Sequence, residues 1–586
     1  MAIARYPLHQ HFLPNLSLSR DRGRASLRAA ATIRSLSAKR AAGEGKWANL
    51  YVLVATFFAV FLNLPSLALC VPFLPLTRGR CRWGFLFGHL EPREGSRYPP
   101  QLAQSERRSL GALAPISILL LLITSLPLPA LAARKHPSAI LAPGAHAKPI
   151  DYDKLTTEAT DLLAREIRIN TTNPPGDELS LAKLLKEKFL AEGIPATVWE
   201  PLPGRGVVAA RLHGSGRHSS ALLLLSHLDV VPADPKEWQV PPFSGQVKDG
   251  EIWGRGSIDD KGPGVIELMA MLAIKRSGLL LNRDVIFLAT GDEEAGGRNG
   301  AGWMTAHEVD VFADAGFVLN EGGGIMTRPN GKRYYGVSIA EKTPLWLRLT
   351  AQGAEGHGAV PPEATAITRL VQALQRLIAY QPPIRILDPV NDYFHDIAEL
   401  DGGPPELLDL RHAMRPNSEF ARRFVVVPRQ NALVRDTFTP TMLAGSAKTN
   451  IIPATATADI DGRLLPGDDP KQITANLGNV IADNSIKLDV TLNFPPAASS
   501  RKSLLMTAID KLAEDDHARV VPMMIAGFTD SHYFRQLDLT AYGFIPIELT
   551  PDEEKGVHGI NERIGVKELG NGIRRMTKLL ATIGSR

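Results

Sequence analysis

Five short stretches of this chain concentrate imidazole and carboxylate groups. They are Ser226-His227-Leu228-Asp229, the run Gly254–Gly262 with Asp259 and Asp260, Gly291-Asp292-Glu293-Glu294, Asn320-Glu321 ahead of three glycines, and Val557-His558-Gly559-Ile560-Asn561-Glu562. Each is commonplace alone, since a His-x-Asp is usually a surface pair and a Glu-Glu pair a solvated face. Gathered in one cleft, five or more carboxylates with two imidazoles need a compensating cation, because unpaired buried charge is costly. Nitrogen and oxygen donors without thiolate suit zinc, manganese or cobalt at a hydrolytic site. Two such ions require a shared bridging carboxylate and about four further ligands, about 3.5–4 Å apart. The inventory meets that count. No G-x-S-x-G occurs, which argues against a serine hydrolase of that type.

The elements around these clusters predict how they are gathered. Val207–Leu212, Ala221–Leu225, Val285–Ala289 and Gly316–Leu319 read as strands. Helical spacing marks Leu155–Ile169, Leu181–Ala191 and the run from Val265 to a stop at Gly278. The alternation predicts an α/β fold with a mostly parallel, helix-covered sheet, in which ligands lie beyond the carboxyl ends of the strands. From about residue 336 the texture changes. Trp346–Leu349, Ala456–Ile460 and Ile486–Leu492 are strand-like, and a helix opens at Pro362 and Glu363. These predict a smaller α+β lid or dimerisation domain inserted into the larger one. The expected divisions are catalytic segments at 151–335 and 497–586, the insert at 336–496, and a linker at 134–150. The Pro-rich stretch 380–445 is irregular and longer than a dimerising lid needs. Intrachain contacts that leave a monomer are the alternative to a homodimer.

Charge separates the chain differently. Residues 1–133 hold 16 Lys and Arg against 5 Asp and Glu, leaving 50 against 56 for the rest. The body is mildly acidic, so the overall +5 is no argument for nucleic-acid binding. Residues 1–109 read as a basic and apolar extension, either upstream non-native sequence or membrane-associated, with an apolar run at 48–76. Arg107 and Arg108, the apolar stretch from Leu110 and Ala130-Leu131-Ala132 follow the order of a secretory signal peptide. An uncleaved anchor over 110–133 is the competing reading. Either places the body outside the cytoplasm, secreted, periplasmic or tethered. The two cysteines, Cys70 and Cys81, exclude a disulfide scaffold.

The ordered set SHLDVVP, WGRGSIDDKG, GDEEAGG, NEGGG, GAEGHGAVP, TNIIPA, DGRLLPG and GVHGINE resembles the zinc-dependent peptidase and deacylase family of carboxypeptidase G, carboxypeptidase S, aminoacylase-1 and succinyl-diaminopimelate desuccinylase. The resemblance spans roughly residues 150–586. It implies His227, Asp259, Glu294, Glu321 and His558 as ligands of two zinc ions, with manganese or cobalt as substitutes. Asp259 would be the bridge, joined to Asp260 by a cis bond. Glu293 would be the general base, and Asp229 would hydrogen-bond the His227 ring. His357, from the insert, would donate to the tetrahedral oxyanion. Arg463, as a bidentate partner for a substrate carboxylate, and Asn450 resemble substrate-holding positions. Gly527–His532 resembles a substrate-side loop, with His532 where Arg is common. Glu321 in place of Asp leans towards carboxypeptidase S and aminoacylase.

The resemblance thus implies a dinuclear metallohydrolase, carboxypeptidase- or dipeptidase-like, that cleaves small peptides or N-acyl amino acids bearing a free carboxylate. An N-acyl amino acid amidohydrolase or synthase is the alternative with the same chemistry. A catalytically dead, membrane-tethered binding protein is the alternative of another class. The retention of Glu293 and every ligand position argues against it.

Overall fold

Apolar runs and amphipathic helices alternate through the residues that the computed structural model describes, 147–216 and 220–585. The helix Tyr152–Arg168 begins where the Asp151 carboxylate accepts the Lys154 N–H at 3.0 Å. Its Leu155, Ala159, Leu162, Leu163 and Ile167 share one buried face. Lys261–Ser277 is buried on every side until its last turn and stops at Gly278, whose φ of 74° a side chain would disfavour. It packs between Tyr152–Arg168 and the last helix, Val566–Gly584.

The large sheet has nine strands. Its order is Ala196–Leu202, Arg205–Leu212, Val285–Thr290, Ala221–His227, Ala315–Asn320, Thr540–Gly543, Arg333–Glu341 and Arg519–Ile525, with Gly324–Thr327 paired to Arg333–Glu341. The four central strands, Val285–Thr290 to Thr540–Gly543, run parallel to one another, as do the last two. Ala221–His227 and Val285–Thr290 are buried along their whole length. Two-faced burial explains their unbroken apolar sequence.

The strand Arg333–Glu341 lies wholly in this sheet, so the chain leaves it at Lys342 rather than near 336. The insert is a four-stranded antiparallel sheet ordered Thr437–Ala444, Thr455–Leu464, Thr343–Gln352 and Ile486–Asn493. Ala366–Ala379 and Pro470–Ile481 cover one face and bury Leu370, Leu374, Leu377 and Leu477 against it. A two-residue ribbon, Gly356–His357 against Ile451–Ile452, projects from this domain.

The Pro-rich segment departs from the irregular structure expected of 380–445. It forms four helices, Asp388–Asp401, Leu410–Ala413, Glu419–Val426 and Pro428–Val434. Phe394, Leu410, Phe424 and Leu433 pack with Ala340 and Met524 of the large sheet, and Ile397 and Leu400 pack with Tyr334 and Val521. These helices therefore cover an edge of the catalytic sheet from within the chain. Prolines here mark helix starts, as at Pro389 and Pro428, which is why they obscured the helical pattern. Among the described residues no helix is long and apolar enough to cross a membrane. The runs 48–76 and 110–133 lie outside the described residues.

Candidate metal centre and its cleft

Three adjacent parallel strands deliver the first donors. His227 ends its strand in register with Thr290 of the neighbour, and the Glu293-Glu294 turn follows that neighbour. Glu321 follows Asn320 on the other flank. Parallel register alone thus brings His227, Glu293, Glu294 and Glu321 to one edge of the sheet. Asp259 arrives from the loop that opens Lys261–Ser277. His558 comes from the C-terminal loop, which is tied in by Arg563–Gly565 pairing with Glu251–Trp253.

Asp259 lies between the two histidines. Its Oδ1 is 3.0 Å from His227 Nε2 and its Oδ2 is 2.9 Å from His558 Nε2. His558 Nε2 is also 3.3 Å from Glu294 Oε1, and His227 Nε2 is 3.7 Å from Glu321 Oε1. His227, Glu293 and Glu321 form one tight donor group, and His227, Asp259 and Glu294 another. The Asp259–Asp260 peptide is cis.

The electrostatics ask for positive charge. Burial, followed by repulsion from Glu321, raises the Glu293 carboxyl well above the carboxylate range. Burial and then Asp259 do the same to Glu321. Hydrogen bonding to Asp259 and then Glu294 pushes His558 up to about 10. Burial opposes the charging of His227, but Asp229 and Asp259 raise it well above its usual value. Asp260 Oδ1 is buried without a hydrogen-bond partner, and His558 Nε2 is what approaches the buried Glu294 Oε1. The His227 Nδ1 lies 3.0 Å from the Asp229 carbonyl oxygen, which can only accept. In its neutral form the ring therefore turns its Nε2 lone pair to the carboxylates, an arrangement that a cation satisfies in place of the proton. The donor set fits divalent metal.

The Asp229 carboxylate is 3.7 Å from His227 Nδ1, so the close imidazole contact expected of it belongs to its main chain. Its Oδ1 and Oδ2 instead accept the Glu293 and Glu294 N–H groups at 3.1 and 3.2 Å. The carboxylate thus fixes the turn that aims both glutamates. Asn173 donates to Asp229 Oδ2 at 2.8 Å, and Arg205 Nη2 donates to Asp292 Oδ1 at 2.5 Å behind the same turn. Glu562 does for Asp259 what Asp229 does for Glu293. Its carboxylate accepts the Gly256, Ile258 and Asp259 N–H groups at 3.0, 2.8 and 3.1 Å and pairs with buried Arg255 at 2.6 Å. Asn173, Arg205, Arg255 and Glu562 have no role assigned from sequence. Glu562 was within sight, four residues after His558 in the same motif. Asn173 and Arg205 carried no local signal.

The insert contributes less directly. His357 and Asn450 are exposed on the short ribbon, and among the described residues no hydrogen bond or ion pair joins either to the cluster. His357 Nδ1 accepts the Ala359 N–H at 3.0 Å, which leaves Nε2–H as an outward donor. The Asn450 carbonyl accepts the Gly358 N–H at 2.9 Å. Arg463 does not offer the free fork expected of it. Its Nε and Nη2 are taken by Asp461 at 2.7 and 3.1 Å, and its guanidinium lies over the Phe528 ring at 4.8 Å. His532 is likewise turned inward. It stacks on Phe494 at 3.6 Å, and burial drags its pKa to about 3. Phe494, Phe528 and Trp346 form an aromatic seam between insert and sheet.

Beside the centre is a cavity of about 310 Å³ that opens on Asp259 and Glu321. Its lining is otherwise largely aliphatic, with Ile325, Met523, Ile525, Ile545 and Ile547 prominent.

A sequence profile of Peptidase family M20/M25/M40 matches residues 223–582. The human N-fatty-acyl-amino acid synthase/hydrolase PM20D1 is 29% identical over 381 residues, covering 63% of this chain and 75% of that protein. Probable carboxypeptidase S-like 2 of Dictyostelium discoideum is 30% identical over 359 residues, covering 59% and 68%. Among solved structures, the M20 family metallo-carboxypeptidase Sso-CP2 from Sulfolobus solfataricus superposes with a TM-score of 0.57 at 20% identity, over 73% of this chain and 99% of that one. That likeness is one of fold.

Proposed function

The chain belongs to peptidase family M20/M25/M40, and from that premise we propose that it hydrolyses the amide bond of N-acyl amino acids in preference to small peptides. The observation that carries the reading is Asp259 held between His227 and His558, with Glu293 aimed beside them by Asp229. The aliphatic cavity opening on Asp259 and Glu321 favours an apolar acyl group over a peptide. The PM20D1 name and the carboxypeptidase S-like name are both compatible with an acylated amino acid whose carboxylate is free.

His227, Asp259 and Glu321 would hold one zinc ion, and His558, Asp259 and Glu294 the other, with manganese or cobalt able to substitute. Bound there, the metals would supply Lewis-acid polarisation of the amide carbonyl and acidify a water molecule. Glu293 accepts that water's proton as the oxygen attacks the carbonyl carbon. It then delivers the proton to the departing amine nitrogen, so the amide becomes a carboxylic acid and a free amino acid. A positioned general base of this kind contributes about 10²–10⁴-fold. His357 Nε2–H would donate to the tetrahedral oxyanion once the insert closes or a second subunit supplies it. The same closure would free Arg463 from Asp461 for the substrate carboxylate and bring Asn450 to it.

The test is hydrolysis of a panel of N-acyl amino acids and dipeptides by purified 134–586, with and without chelator. Chelation should abolish turnover and zinc or manganese restore it. Glu293→Gln should lower kcat by about 10²–10⁴-fold with little change in KM. Cleavage of dipeptides alone would reverse the substrate preference, and chelator-resistant turnover would remove the metal reading. Residues 110–132 we take to export the chain. N-terminal sequencing of material expressed with them should find a start at Ala133.

A further inference from the structure

The aliphatic cavity adjoins another. Met326, Arg429 and Glu554 line it, and the same three residues line a second cavity of about 550 Å³. The second cavity runs between the large sheet and the covering helices, where Tyr334, Tyr393, Phe394, Leu407 and Leu433 are its apolar walls. The boundary between them is light. Arg429 and Glu554 approach only to 3.8 Å and are both mostly exposed, and Met326 is a flexible, half-buried side chain.

We propose that the two cavities form one acyl channel, which leads a long aliphatic chain from the metal centre under Met326 into the groove beneath the helices Asp388–Asp401 and Pro428–Val434. The proposal rests on the N-acyl amino acid reading and deepens it to long-chain acyl groups. Three observations carry it. The inner cavity is lined by Asp259 and Glu321, beside which the scissile carbonyl would lie. Ile325, Met523, Ile525, Ile545, Ile547 and Leu549 make its walls largely aliphatic, and it shares Met326, Arg429 and Glu554 with the outer cavity. At the ~30 Å³ that a water molecule, close in size to a methylene, takes up in the liquid, it holds roughly ten chain carbons, so a longer chain must continue past Met326. The helices that roof the outer cavity are those that the insert adds to the catalytic sheet, which makes that segment a specificity element.

Each buried methylene is worth at most about a fourfold gain in kcat/KM. Across N-acyl phenylalanines from acetyl to stearoyl, kcat/KM should climb to about ten carbons and stay high through sixteen to eighteen. Met326→Trp narrows the passage. The ratio of palmitoyl to octanoyl turnover, which cancels losses common to both substrates, should fall at least tenfold, while in Met326→Ala it should hold or rise. A flat dependence from acetyl to stearoyl, or an unchanged ratio in Met326→Trp, overturns the channel even though acetyl substrates are cleaved. If no N-acyl amino acid of any length is cleaved, the proposed function fails, and the channel stands on binding of the fluorescent fatty acid cis-parinaric acid to zinc-loaded protein. Micromolar binding weakened at least tenfold by Met326→Trp sustains it, and absence of binding overturns it.

Discussion

The strand-end cluster and the ribbon of the insert hold candidate catalytic groups in opposite ways. At the cluster Glu293, Glu294 and Asp259 are held through backbone N–H groups bonded to a buried carboxylate. Asp229 accepts the Glu293 and Glu294 N–H groups, and Glu562 accepts three N–H groups leading into Asp259. On the ribbon, the His357 side chain is exposed, and among the described residues its ring has a single hydrogen bond, from the Ala359 N–H. The first arrangement is pre-organised and is made with folding. In the proposed mechanism the second acts once a motion or a partner delivers it. The aromatic seam of Trp346, Phe494 and Phe528 joins the two, and Leu492 at its edge approaches the Gly296 turn that carries Glu293.

The contrast can be broken at either end. The largest effect is expected from Glu562→Gln, which leaves Arg255 buried without its counter-charge and removes acceptors from the Asp259 loop. Breaking a buried pair by removing one partner costs about 3–5 kcal/mol. Urea unfolding should show that loss, together with lower zinc content; unchanged stability would refute the supporting role. His357→Ala should behave oppositely. It should lower kcat by about 10²–10³-fold as an oxyanion donor while leaving the melting temperature and metal content at wild-type values. A matching loss of stability would place His357 in the framework instead. Asp229→Asn sharpens the cluster side. Zinc affinity should weaken by about 10–100-fold, read by competition with a chromophoric chelator, because the Glu293-Glu294 turn loses charged acceptors.

The smallest effect concerns the hinge. Burial drags the Lys342 ammonium down to about 7, and its Nζ donates to the Arg435 carbonyl at 2.9 Å and to Thr437 at 3.1 Å. Between about pH 7 and the ordinary lysine value the unfolded chain binds the extra proton, so this residue makes stability rise with pH across that window. Below it the contribution is level. Lys342→Met should flatten that part of a melting profile taken across pH 7 to 10; an unchanged slope would assign the dependence to other groups.

The sheet was legible because parallel, doubly buried strands are written as unbroken apolar runs. Val285–Thr290 and Ala315–Asn320 fall where those runs predict them. The helices after residue 387 were not, because Pro389 and Pro428 open helices there and read locally as breakers. The cluster was legible through residue type, since donors clustered at strand ends signal metal chemistry wherever they fold. The pairing of Arg463 was hidden, although Asp461 is only two residues away. Alternate positions of the one strand Thr455–Leu464 place both side chains on one face, and nothing in the sequence says that this face lacks solvent enough to favour the pair.

Sequence by itself determined the family, the α/β pattern and the candidate donor residues, because each of these is recorded in residue type and local period. Tertiary structure alone decided that one carboxylate stands between two histidines 331 residues apart in the chain. It also decided that Glu562 holds Asp259, that His532 is stacked on Phe494, and that two cavities share Met326. Each of these depends on which distant surfaces exclude water together, and packing, unlike periodicity, has no local signature.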